Sequence, residues 1–151
     1  MYPNNKPSDY TFLRYLQENQ TPIQNQNRDD NTIFSFIHRN PEFSDFHKIV
    51  EISNMTSILS NKSKHFTLLL PIKCNVDFLT LDTLEARKLV MLCLLPSKLY
   101  DRDFVTGLYD TSFKNYQLWI DDGIINKTSK IVVPNIVKDN GLIHIIDKLP
   151  I

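Results

Sequence analysis

Four histidines, two cysteines and several close pairs of aspartates are the side chains of this 151-residue chain that could do chemistry. His144 stands in the stretch Asn140 to Pro150, NGLIHIIDKLP, with Asp147 three residues on. A histidine and an aspartate held together can act as a general base or bind a metal. A strand, however, turns residues 144 and 147 to opposite faces. With isoleucines on both sides, the ordinary reading of His144 is a hydrogen-bonded core histidine. Cys93 lies in a very apolar run, Leu89 to Leu95, and burial there favours an inert thiol over the thiolate a nucleophile needs. His38, His47 and His65 have no Cys or His neighbour at metal-ligand spacing. The chain has no G-x-S-x-G elbow, and three glycines are too few for a phosphate-cradling loop. Asp101, Asp103, Asp121 and Asp122 read as solvated turn residues. Four sequons, at Asn19, Asn54, Asn61 and Asn126, are expected by chance in a chain so rich in Asn, Ser and Thr. No catalytic residue, cofactor or metal ligand is predicted.

Composition bounds the remaining classes. The length suits one domain with one core. Seventeen basic and seventeen acidic side chains cancel, and the basic ones form no stripe with aromatics, which argues against nucleic-acid binding. Two free, buried thiols are expected at Cys74 and Cys93, with a disulfide as the alternative. The abundance of Asn, Ile and Lys beside a single Ala suggests an AT-rich coding genome, such as that of a protist, a bacterium or a large DNA virus. No apolar stretch is long enough to span a membrane as a helix. The opening residues MYPNNKPSDY lack the layout of a secretory signal. That favours the cell interior, an infected host cell or a virion, with the exterior as the alternative if a signal has been removed.

These residues must be positioned by elements the pattern predicts. Residues 1–30 read as a polar arm, with a short helix over Ser8 to Glu18, and residues 31–151 as the domain. Asn31 or Thr32 caps a helix carrying Ile33, Phe34, Phe36 and Ile37. Asn40-Pro41-Glu42 reads as a second helix start, with Asn at the cap, followed by Phe43, Phe46 and Val50 on one face. Met55 to Leu59 is a further helical turn. Phe66 to Pro71 reads as a buried strand stopped by the proline. Asp82 and Glu85 form a capping-box pattern for a helix through Leu84, Leu89 and Leu92, whose end lies deep in the core. Strands come next at Tyr116 to Ile120, Ile124-Ile125, Ile131 to Val133 and Leu142 to Asp147, with turns at Asp122-Gly123, Asn126-Lys127 and Asn140-Gly141. Helices first and a strand meander last predict an α+β fold.

Three blocks in this order resemble the fasciclin domain family across residues 31–151. Phe66-Thr67-Leu68-Leu69-Leu70-Pro71 is similar to the family's F-T-[VL]-[FL]-x-P strand. Val90 to Ser97 is similar to its L-x-Y-H-[VI]-[VL]-P block. Asn140, Gly141, Ile143, His144 and Asp147 match its closing N-G-[VI]-I-H-x-[IV]-D signature. The resemblance implies a wedge of mainly antiparallel strands covered by helices, a structural role for His144, and a non-enzymatic module of cell adhesion or protein binding. Leu92 and Cys93 stand where the family has Tyr and His, and Pro134-Asn135-Ile136-Val137 only outlines its acidic-isoleucine motif. By the resemblance, Leu92, Cys93, Asn135 and Ile136 are the binding positions, and their departures argue against integrin as the partner. An intracellular or virion assembly protein of the same fold is the alternative, and an enzyme with an unrecognised pocket around Cys93 or His144 the second.

Overall fold

The computed structural model describes residues 31–151, so the expected arm and its helix lie outside the described residues. Thr32 caps α1 (Ile33–Arg39): its hydroxyl accepts from the Ser35 N–H at 3.2 Å, and the Ser35 hydroxyl accepts from the Thr32 N–H at 3.0 Å. Asn40 makes no side-chain cap for a second helix. Its amide turns back to donate to the Phe36 carbonyl and closes α1, while Pro41 opens a 3-10 turn, Pro41–Phe43. Helix α2 (Ser44–Ser53) buries Phe46, Ile49 and Val50; Phe43, predicted on the same face, is buried one turn earlier in the 3-10 turn. It stops at Asn54, whose φ of 60° is left-handed, and α3 (Thr56–Ser60) comes next.

Strand β1 (Phe66–Lys73) does not stop at Pro71. It pairs in parallel with β7 (Gly141–Lys148), with Pro71 opposite Ile146. The Phe66 N–H bonds the Asn140 carbonyl, whereas the Leu69 N–H bonds the Cys93 carbonyl on the far side. By the two-residue period, position 71 points its amide away from β7. There β2 (Leu94–Leu95) has already ended, since it pairs only with Thr67 and Leu68. The proline therefore costs no ladder bond.

Helix α4 (Thr83–Leu92) begins at Asp82, whose carboxylate accepts from the Glu85 N–H at 2.8 Å. Its buried side is Ala86, Val90 and Leu92, while Leu84 in its first turn is 75% exposed. The Arg87 guanidinium donates twice to the Ser53 carbonyl and ties α4 to the end of α2. The apolar run predicted to end deep in the core does so, changing there from helix to strand β2 at Cys93.

A second 3-10 turn (Asp101–Asp103) leads to β3 (Gly107–Asp110), a strand the sequence pattern did not suggest. Then come β4 (Gln117–Asp121), β5 (Ile124–Ile125) and β6 (Ser129–Lys138). The two turns around β5 have positive φ at Asp122, Gly123, Asn126 and Lys127, as tight hairpin turns require; the first is a two-residue loop and the second adds Thr128 before Ser129 pairs with Ile125. Among the described residues the strands form one mixed sheet, ordered β2-β1-β7-β6-β5-β4-β3, in which only β1 and β7 run parallel. The fold is α+β, as the pattern predicted.

Central β7 is covered on both faces. Ile143 and Ile145 join Leu68, Leu70 and the helices in the larger core, while Ile146 joins Leu69, Leu95, Leu118, Ile120 and Ile125 on the other side. Strand β6 is longer than the predicted three residues because it breaks register between Val133 and Ile136. Pro134 sits in that bulge, a place in a strand where a residue without an N–H is tolerated.

Candidate functional site

The closing signature is a structural knot. Asn140 is fully buried: its carbonyl Oδ1 accepts from the Ile33 N–H at 2.9 Å, and its amide donates to the Leu59 carbonyl at 2.8 Å. One side chain thus satisfies an orphan donor at the start of α1 and a terminal carbonyl of α3. The positive φ expected in this turn falls on Gly141 alone, at 143°. A Cβ there would lie 1.9 Å from the Phe66 carbonyl oxygen, so β1 can approach β7 only past a glycine.

His144 is fully buried, between the bulge of β6 and the segment before the second 3-10 turn. Its Nδ1 is 2.9 Å from the Asn135 backbone nitrogen, and its Nε2 is 2.8 Å from the Leu99 carbonyl. A backbone N–H can only donate, so Nδ1 accepts and the proton sits on Nε2. Phe104 packs edge-on against the ring. Burial lowers the His144 pKa, opposed by the Leu99 hydrogen bond and the Asp101 charge. The ring is held neutral with both nitrogens spent, which leaves none for a substrate or a metal.

Asp147 accepts from the Lys130 N–H at 2.9 Å, another backbone tie. Phe66 starts β1 beside Gly141. Among the binding positions, Leu92, Cys93 and Ile136 are buried. Asn135 is half-buried, with a left-handed φ of 63°. Its side chain accepts from the Asp101 N–H and donates to the Asp101 carboxylate, both at 2.9 Å. The geometry makes Asn135 a clamp between the β6 bulge and the second 3-10 turn.

Cys74 and Cys93 are free and buried. Burial, reinforced by Asp45, pushes the Cys74 thiol up to about 12. Burial raises the Cys93 thiol too, with a smaller push from Cys74. Neither is poised as a nucleophile. His38 and His47, unrelated by spacing, meet across α1 and α2: Nδ1 of His38 lies 3.1 Å from Nε2 of His47, and both rings stack on Phe34. No group of three or more potential metal ligands occurs among the described residues. No described helix is long and apolar enough to cross a membrane.

The surface that sequence reasoning missed is the outer face of β3–β5. Leu108 (60% exposed) stands directly opposite Trp119 (37%), and Ile124 (42%) lies beyond them on β5. Asp110 and Asp121 flank this centre along the strands; Asp110 accepts from the Gln117 amide and Asp121 from the Thr106 hydroxyl. The signal was present as the alternation Gln117-Leu118-Trp119-Ile120-Asp121, whose odd members face out.

The fasciclin domain model matches residues 41–150. No curated protein sequence matches the chain. Among solved structures, a FAS1 domain pair from the insect cell adhesion molecule fasciclin I is similar, with a TM-score of 0.66 and 16% identity over 80% of this chain. The chain spans about half of that structure, 51% of its length. A likeness at that identity speaks for the fold, and the family model, which covers well over half of the sequence, speaks for descent: the chain belongs to the fasciclin domain family.

Proposed function

We propose that the chain is a non-catalytic binding module, a fasciclin domain that presents a fixed surface to a protein partner in adhesion or assembly. The observation that carries this reading is the complete use of His144: the buried ring spends both its nitrogens on backbone groups. The same economy governs Asn140 and Asp147, so the polar residues of the closing signature hold elements together instead. Leu92, Cys93 and Ile136 would support a partner from beneath the surface, and Asn135 by fixing the loop at Asp101. Folded full-length chain on a solid support should retain a partner or cells that a heat-unfolded preparation does not. Equal retention by both preparations would contradict the reading. In the assembly version of the same function the partner is a further copy of the chain, and sedimentation of the purified protein separates the two.

A further inference from the structure

From the outer face of β3–β5 we infer the chemistry of the partner: an extended segment with the pattern basic-x-apolar-x-basic, which adds as a strand to the open edge of β3. The inference rests on the reading of the chain as a binding module and names what that module takes. Strand β3 ends the sheet, and among the described residues no strand pairs with its outer side. The Thr111 N–H bonds the carbonyl of Tyr116, just before β4, so by the two-residue period Gly107 and Tyr109 direct their backbone groups inward. Leu108 and Asp110 therefore direct theirs to the open side, where an added strand would find them.

Side chains of such a strand alternate, so every second one shares the outer face with Leu108, Trp119 and Ile124. The residue beside Leu108 meets an apolar centre. Its neighbours two positions away lie beside Asp110 at one end and beside Thr106 at the other, where the Thr106 hydroxyl holds Asp121. Carboxylates at both ends of an apolar centre call for cations at both ends of an apolar residue. The bias holds on the β3 side of the patch. Residues 99–125 carry Asp101, Asp103, Asp110, Asp121 and Asp122 against Arg102 and Lys114, while Lys130 stands opposite Ile124 on the side away from β3. Trp119 is also the kind of aromatic that dominates binding energy at the centre of an interface.

Trp119 is the only tryptophan, so its emission reports on this face directly. Full-length chain would be titrated with the blocked peptide Thr-Lys-Thr-Val-Thr-Lys-Thr and, separately, with Thr-Glu-Thr-Val-Thr-Glu-Thr. The basic peptide should shift Trp119 emission to the blue in a saturable way, and added salt should weaken it. D110K should weaken it about tenfold, and the acidic peptide should produce no shift. No shift with the basic peptide, equal shifts with both peptides, or a shift that grows with protein concentration before any peptide is added would overturn the inference; the last would assign the face to a second copy. A partner retained by the full-length chain and retained equally by L108K would remove this surface while leaving the binding-module reading intact.

Discussion

Gly141 and His144 set the tolerance of this fold at the scale of single residues. Gly141→Ala places a methyl carbon 1.9 Å from the Phe66 carbonyl oxygen at a φ of 143°. Relief requires β1 to separate from β7, so the loss of stability in urea denaturation should exceed about 3 kcal/mol, the range of severe backbone and core defects. His144→Ala leaves the Asn135 N–H and the Leu99 carbonyl without their buried partner, and should cost about 1–3 kcal/mol. The pH dependence has a definite sign. The folded pKa of His144 lies below its ordinary value of 6.5, so the unfolded chain binds the proton first. The stability that His144 contributes is complete above about pH 6.5 and is lost as the pH falls from there through the folded pKa. Urea midpoints of the wild type should decline over that window, and His144→Ala should flatten the part of the decline owed to this ring.

Among the elements, β1 explains most about how sequence pattern and structure diverge. A proline inside an apolar run reads as a stop, yet β1 continues to Lys73 because the missing N–H of Pro71 faces the side that β2 has vacated. Pro71→Ala should therefore change stability by less than about 1 kcal/mol, since no ladder bond is regained and only unfolded-chain entropy is altered. A large gain in the denaturation midpoint would mean that the proline had displaced a bond. The cap of α4 is the opposite case. Asp82→Ala removes the acceptor of the Glu85 N–H and should cost about 1 kcal/mol in the same assay.

At the scale of the whole molecule, one sheet carries a core on each face and an exposed apolar patch beyond the smaller core. Cys74 and Cys93 lie on the helix-covered side among Ala86, Val90 and Leu94. Their burial and raised pKa values together predict no labelling of the native chain by a thiol reagent at neutral pH, with both thiols reacting after denaturation. Fast labelling of native protein would mean that the helical layer opens more readily than its packing implies. The β3–β5 patch is the counterpart: a single tryptophan on β4, one strand in from the open edge, ready to report a ligand.

Sequence by itself determined the α+β class, a helix cap at Asn31 or Thr32 and another at Asp82, the two hairpin turns around Ile124-Ile125 and the buried closing strand with its alternation. Each of these comes from local chemistry: a short polar side chain before an apolar period, residues that accept positive φ, or a two-residue repeat. Tertiary structure alone decided the rest, because the deciding partners are far apart in the chain. The strand through Pro71 depends on where β2 ends, and the role of Asn140 depends on Ile33 and Leu59, 107 and 81 residues away. The meeting of His38 and His47 depends on two helices crossing. The patch of Leu108, Trp119 and Ile124 needed a third strand, β3, which is too short to announce itself by period. His144 belongs to both groups: alternation placed it in the core, and only the bulge at Asn135 and the carbonyl of Leu99 explain why it stays neutral there.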